Sequence, residues 1–334
     1  MDPPNALSEL DVDDGRGVGD IERGRGVGDI ERGLGISGVE RETGLSKDVL
    51  RMWERRYGFP QPVRDGNGER LYTPAQMAKL RAIKRLMDVG MRPGRIVGLS
   101  LAELNALADT HAPKRSEAAP PAIERDVLAL VRAADVGGLR DALATALLRQ
   151  GLQRFALETI GPLNHAIGAA WIRGELDVHE EHLYSEEAQS VLRAALHALP
   201  RHRSGPRIVL ATLAGESHGL GLLVAEAALA SEGAYCVSLG TQVPLDEIRR
   251  AAAAHRSDVV ALSFSSAFPL RQAADALATL RRRLPPGVAL WAGGEALSRI
   301  RTPLTGVFLA VDPAAAVAAL RALRARGGTA GAAT

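Results

Sequence analysis

A histidine in the run Ala214-Gly215-Glu216-Ser217-His218-Gly219-Leu220-Gly221 has the neighbours that metal chemistry needs. A neutral imidazole ligates a metal through one ring nitrogen, and a carboxylate two positions earlier can hold the other nitrogen. One histidine cannot hold a bare ion. It can supply the single axial position of a metal whose equatorial ligands arrive with a macrocycle, as in a corrin or haem. The chain has one cysteine, Cys236, which removes internal disulfides and multi-cysteine metal sites. A dinucleotide site is the competing use of such a glycine-rich turn. Its third glycine place is Val224, however, and the next strand ends Ser238-Leu239-Gly240 with no acid for a ribose.

A second set of residues is cationic. Lys47, Arg51 and Arg55 recur every four residues, so on a helix they share one face, with Arg56 beside it. Such a face suits the major groove, where arginine pairs bidentately with guanine and lysine meets phosphate. The alternative is a solvated, salt-bridged helix, since Asp48 and Glu54 lie nearby. Arg64-Asp65-Gly66-Asn67-Gly68-Glu69-Arg70 reads as a tight hairpin with an arginine on each arm, and Tyr72 follows it. The charge distribution agrees with a polyanionic partner. The chain carries +2 overall, yet residues 36 to 95 hold 13 Lys/Arg against 7 Asp/Glu.

The cationic set sits on a helical segment. Ile36 to Thr43 offers one short helix, Gly44-Leu45 a turn, and Ser46 an N-cap for a second helix through Tyr57. Helical spacing continues to about Leu107, and residues 112 to 122, rich in Pro, Ala and Ser, read as a linker. From Ile123 to Leu199 the pattern predicts four helices. After Pro200, β-rich runs at 207–213, 234–239, 258–264, 288–292 and 307–311 alternate with alanine-rich helices, the pattern of an open parallel α/β sheet. His218 then lies at the carboxyl edge of the first strand, where such sheets place ligands.

With 334 residues at 46% hydrophobic, the chain can bury two or three cores. Its apolar runs fall short of the ~20 residues of a membrane span, and no secretory signal opens it, so a soluble cytoplasmic protein is expected. Residues 15–23, GRGVGDIER, recur unchanged at 24–32 and in diverged form at 33–41. Glycine-dense repeats of this length predict a flexible tail. The expected divisions are a disordered tail over 1–34, a first domain over 35–110, a linker over 111–122, a four-helix unit over 123–200, an α/β domain over 205–327 and a flexible tail over 328–334.

From Ile36 to Leu86, with WERRYG before the hairpin and RLYT after it, the chain resembles the winged helix-turn-helix of the MerR family. The resemblance implies that the second helix enters the major groove while Arg64 and Arg70 grip the backbone, and Lys47, Arg51, Arg55, Arg56 and Tyr72 are expected to contact the DNA with them. The pattern Glu-x-His-x-x-Gly, with Ser263 on the third strand and Gly293-Gly294 after the fourth, resembles the cobalamin-binding domain that carries its cofactor base-off and His-on. There His218 would take the lower face of cobalt, with Glu216 behind it. Gly221, Ser263, Gly293 and Gly294 would leave room for the displaced nucleotide tail. Trp171, nine further residues and Glu181-His182 match the Trp-x9-Glu-His motif of the CarH and LitR photoreceptors, MerR-type repressors that bind adenosylcobalamin. Taken alone, a helical tryptophan is a core residue, and His179 with His182 offers a weak metal alternative. The resemblance, in the same domain order over residues 36 to 325, implies that Trp171 packs against the adenosyl group and that Val178, Glu181 and His182 complete its pocket.

One position departs from that family. Its well-described members place a histidine directly after the tryptophan, and this chain has Ile172, which cannot ligate a metal but is expected to face the corrin. The fold class expected is multidomain: an all-α winged helix-turn-helix, a four-helix bundle cap and an α/β Rossmann-like, flavodoxin-like cobalamin-binding domain. The function implied is not enzymatic. It is a light-responsive, cobalamin-dependent repressor that binds double-stranded operator DNA as a homo-oligomer, dimer or tetramer, with no membrane partner, and controls carotenoid or light-protection genes. Adenosylcobalamin is the first choice of cofactor and methylcobalamin the second. The rivals are a light-independent repressor or cobalamin sensor and a corrinoid methyl carrier, which would have no use for residues 36 to 95.

Overall fold

The computed structural model describes residues 33–64, 68–111, 121–200, 205–300 and 303–330. The two identical nine-residue repeats and most of the predicted linker lie outside the described residues. The first domain opens with β1 (Leu34–Gly35), α1 (Ile36–Thr43) and α2 (Lys47–Tyr57). Gly44 makes the left-handed turn between the helices at φ 67°, and the Ser46 hydroxyl accepts the Val49 N–H at 3.3 Å to cap α2. The wing pairs β2 (Val63–Arg64) with β3 (Arg70–Tyr72), and β1 adds a third antiparallel strand in the order β1-β3-β2. The domain is helical with the expected hairpin, and β1 is the addition to the sequence expectation. Leu34, expected in the tail, therefore belongs to a strand. Gly33 shows why: a Cβ there would stand 2.4 Å from the Tyr72 carbonyl oxygen, so only glycine allows the approach.

After the wing come α3 (Pro74–Asp88), α4 (Pro93–Ile96) and α5 (Leu101–His111). Thr73 caps α3, and Pro74 at its first position loses no hydrogen bond the helix could have used. Leu50, Trp53, Leu80, Ile83 and Leu86 close the core of this unit, all at most 1% exposed.

The second unit consists of α6 (Ala122–Arg132), α7 (Val136–Gln150), α8 (Leu152–Arg154), a π-helical stretch (Phe155–Ile160), α9 (Gly161–Ile172) and α10 (Val178–Ala198). The third predicted helix is thus a composite. The Gly161 N–H reaches back to the Ala156 carbonyl across the wider turn, just before Pro162, which has no N–H to donate. Its core includes Leu223, Val224 and Ala227 from the first helix of the third unit, so the bundle rests on the α/β domain.

That third unit follows as β4 (Arg207–Ala211), α11 (Leu220–Ser231), β5 (Tyr235–Ser238), α12 (Leu245–Ala254), β6 (Val259–Ser263), α13 (Leu270–Arg283), β7 (Ala289–Gly293), a 3-10 turn (Glu295–Arg299), β8 (Val307–Ala310) and α14 (Pro313–Ala330). All five predicted strands form, parallel and in the order β5-β4-β6-β7-β8. The order reverses beside β4, so the carboxyl ends of β4 and β6 flank the crevice where doubly wound sheets bind ligands. The final helix continues through Ala330, into the segment expected as a flexible tail. Among the described residues no helix is long and apolar enough to cross a membrane.

Candidate functional site

The loop after β4 is shaped from beneath by Thr212, whose buried hydroxyl donates to the Glu216 carbonyl at 2.7 Å and accepts the Gln242 N–H at 2.9 Å. This turns the Glu216 side chain inward until it is 1% exposed. One carboxylate oxygen accepts both the His218 N–H at 2.9 Å and His218 Nδ1 at 2.7 Å. The other accepts the Ser265 N–H and the Ser265 hydroxyl, each at 2.8 Å. A carboxylate only accepts, so Nδ1 carries the proton and the lone pair stands on Nε2. The imidazole side chain is 57% exposed, so that nitrogen is open to the crevice.

Electrostatics supports the hold of Glu216 on the ring, whose neutral form is the one that leaves Nε2 free to ligate. Burial pushes the Glu216 carboxyl up, but the four hydrogen bonds from His218 and Ser265 outweigh it and hold it below the usual range. His218 is raised by its bond to Glu216, against desolvation, with Glu216, Asp88 and Glu181 adding electrostatically. Asp88 ends α3 and Glu181 lies on α10, so charges from all three units act on this imidazole. Among the described residues no three His, Cys, Asp or Glu gather to hold an ion. The donor set is one oriented imidazole, which fits a metal that brings its other ligands with it.

The remaining predicted residues of the crevice adjoin one another. A Cβ at Gly221 would lie 3.3 Å from the Ser263 hydroxyl, and Ser263 is in register with Gly293. Gly294 has a separate reason to be glycine. Its φ is 105°, and a Cβ there would stand 2.1 Å from the Phe264 carbonyl oxygen. Ser265 was missed by sequence reasoning, which chose Ser263. The available signal was its place just past the end of β6, facing the loop that follows β4.

On the bundle side, Trp171 lies in the last turn of α9 and packs against both the bundle core and the core of the first domain. Asp177 and Glu180 form a reciprocal capping box that fixes the start of α10. Val178 there is 42% exposed. One Glu181 oxygen meets His182 Nδ1 at 2.6 Å, and the other accepts the Ser185 hydroxyl at 2.7 Å. Ile172 follows Trp171 and is the more deeply buried of the two in the first domain's cluster. It is 8% exposed and lies in the apolar cluster of the first domain with Leu86 and Val89, which corrects the expectation that it faces the corrin. Successive helical residues point about 100° apart, so a neighbour of Trp171 need not face the same crevice.

The cationic face is only partly as expected. Arg51, Arg55 and Arg56 are exposed on α2, and the Arg51 contact with Asp48 at 3.4 Å is a solvated pair that contributes little. Lys47 leans toward Glu40 at 3.6 Å. Arg64 donates to the Gly68 carbonyl at 2.6 Å within the wing. Arg70 donates to one Glu54 oxygen at 3.2 Å and the Tyr72 hydroxyl to the other at 3.0 Å. Tyr72 is fully buried, and burial followed by the bond to Glu54 raises its pKa well above the usual phenol range. The expectation that Tyr72 contacts DNA is therefore corrected: its ring fills the core, and its hydroxyl ties the wing to α2.

Comparison with known proteins matches this layout. The MerR HTH family of regulatory proteins matches residues 34–102, and the B12 binding domain family matches residues 206–316. The chain is 35% identical over 255 residues to the HTH-type transcriptional repressor CarH of Myxococcus xanthus, covering 75% of this chain and 84% of that protein. It is 32% identical over 243 residues to the HTH-type transcriptional repressor CarA of the same organism, covering 72% and 80% respectively.

Proposed function

The chain belongs to the MerR-type transcriptional repressors that carry a C-terminal B12-binding domain, and from that premise we propose that it is a cobalamin-dependent repressor released from its operator by light. It is a regulator rather than an enzyme. The observation that carries the cofactor half is the buried Glu216 carboxylate holding His218 Nδ1 at 2.7 Å, which leaves Nε2 to ligate. In this reading Nε2 would ligate the cobalt of the bound cobalamin, and Glu216 and Ser265 would hold the ring in place. Gly221, Ser263 and Gly293 border the path of the displaced nucleotide tail, with Gly294 shaping the turn beyond it. Trp171, Val178, Glu181 and His182 cover the upper group. Adenosylcobalamin, the first choice over methylcobalamin, supplies a cobalt–carbon bond that visible light breaks.

Arg51, Arg55 and Arg56 of α2 enter the major groove, with Lys47, Arg64 and Arg70 on the phosphates. The dark form is a homo-oligomer, dimer or tetramer, in the cytoplasm, and its targets are carotenoid or other light-protection genes. The test is a mobility shift with a duplex selected by the protein from random sequences, with and without adenosylcobalamin, before and after green light. Retardation only with cofactor in the dark is the expected result. Retardation indifferent to both would end this reading. A shift that needs cobalamin but ignores light would favour a second reading, a light-independent cobalamin sensor, which rests on Ile172 standing in the first domain's core instead of offering a ligand.

A further inference from the structure

The Arg85 guanidinium, on the α3 helix of the DNA-binding domain, lies flat under the turn that leaves α9. A Cβ at Gly174 would stand 2.9 Å from its Nη2, 3.0 Å from Cζ and 3.3 Å from Nη1, so the turn's bare backbone covers the plane of the cation. Gly174 also has φ 73°, the left-handed conformation that glycine adopts freely. The turn is closed by the Gly174 N–H on the Trp171 carbonyl and the Glu175 N–H on the Ala170 carbonyl, both at 2.9 Å. Arg85 therefore abuts the helical turn that carries Trp171, where a cation complements the carbonyl end of a helix. Asp177, which caps α10 and so sets where Val178, Glu181 and His182 begin, acts on Arg85 electrostatically.

Arg85 is half-buried, and its Nε is buried without a hydrogen-bond partner among the described residues. Burial lowers its pKa, opposed by Asp177, while Arg81 lowers it further. Two further contacts join the same helix region to the crevice. Ile172 sits in one apolar cluster with Leu86 and Val89. A Cβ at Gly90 would stand 3.0 Å from the Ser266 carbonyl oxygen, next to the Ser265 that holds Glu216.

We propose that Arg85, a residue of the DNA-binding domain, is a positioning residue of the upper cobalamin pocket: it fixes the Trp171–Asp177 corner against α3. The proposal rests on the cofactor reading above. It makes the DNA-binding domain part of the apparatus that distinguishes a bulky upper ligand from a small one. Because coupling between binding sites is reciprocal, the same contact lets the cofactor bias the domain that carries α2 and the wing.

The test uses the full chain with Arg85→Met, which keeps length and apolar bulk but removes the planar cation, and Gly174→Ala, which attacks the same contact from the other side. In the cofactor-free protein, amide hydrogen exchange over residues 171–181 should quicken at least about fivefold in either variant, while the β4–β6 core exchanges as in the parent. Affinity for adenosylcobalamin should fall about tenfold. Affinity for methylcobalamin, whose upper group is a single methyl, should change less than about twofold; a tenfold change corresponds to about 1.4 kcal/mol. Unchanged exchange, equal losses for both cobalamins, or no loss in either variant would overturn the proposal. A parent chain that bound neither cobalamin would overturn the cofactor reading first, and a variant effect on exchange alone would not restore the proposal.

Discussion

Ser265 holds Glu216 beside His218: its N–H and its hydroxyl both donate to one carboxylate oxygen at 2.8 Å, leaving the other oxygen to the imidazole, whose Nδ1 stands 3.1 Å from the Ser265 hydroxyl. The histidine is therefore positioned by a residue just past the end of a different strand. Its orientation depends on the spacing of β4 and β6 as much as on its own loop.

Replacing Ser265 with alanine removes the hydroxyl bond and keeps the N–H bond. Hydrogen bonds to a charged group contribute about 1.5 to 3 kcal/mol, and part is recovered by water in this accessible loop. Cobalamin affinity should fall about fivefold, near 1 kcal/mol, with thermal stability little changed. Titration of the variant by absorbance measures this, and affinity equal to the parent's would show that Glu216 needs no second anchor.

Most of this architecture was legible in the sequence because local signals agreed with the final packing. Ser46 before α2, glycine after α1 and β-rich runs bounded by turns each found the predicted element. What escaped depends on contacts between distant segments. Leu34 becomes a strand only because Tyr72 is there to pair with it. Ser265 becomes part of the site only because β6 lies beside β4, and Tyr72 turns inward because Glu54 of α2 awaits its hydroxyl. Ile172 was misplaced because family spacing says which residue follows the tryptophan but not which domain that residue meets.

The two kinds of residue on the DNA-binding domain should separate experimentally. Arg55→Ala should weaken binding to the selected duplex by about 1 to 3 kcal/mol if it loses a base contact, with stability unaltered. Tyr72→Phe should do the reverse, lowering stability by about 1 kcal/mol through the lost bond to Glu54 while the salt dependence of DNA binding stays as in the parent. Denaturant melts and salt-titrated mobility shifts read both. A flattened salt dependence in Tyr72→Phe would return that residue to the DNA surface.

Ile172→His should not create a cobalt ligand. The position is buried in an apolar interdomain cluster, so an imidazole without a partner there should destabilise the chain by about 1 to 3 kcal/mol. The unfolding midpoint should fall, and spectra of the illuminated, cobalamin-loaded variant should match the parent's. A second histidine ligand in the variant's spectrum would show that Ile172 leaves its cluster.

Gly294→Ala forces a side chain to within 2.1 Å of the Phe264 carbonyl oxygen at a φ of 105°, so the cost falls on the fold before any ligand enters. The variant should unfold at least about 3 kcal/mol more easily than the parent in cofactor-free form, since backbone strain of this kind adds to the clash. A variant of normal stability that merely bound cobalamin poorly would instead assign Gly294 to the nucleotide slot alone.

The central claim is that His218 Nε2 is the lower ligand of cobalt, and electron paramagnetic resonance tests it most directly. Protein labelled with 15N-histidine is loaded with cobalt(II) cobalamin, whose unpaired electron couples to the axial nitrogen. Ordinary 14N splits each line into a triplet and 15N into a doublet, so the nitrogen from the protein is told apart from that of the cofactor's own base. The account predicts doublets in the labelled parent, and in labelled His218→Ala either a return to triplets or loss of binding. Triplets in the labelled parent would show the cofactor's base still in place and contradict the account.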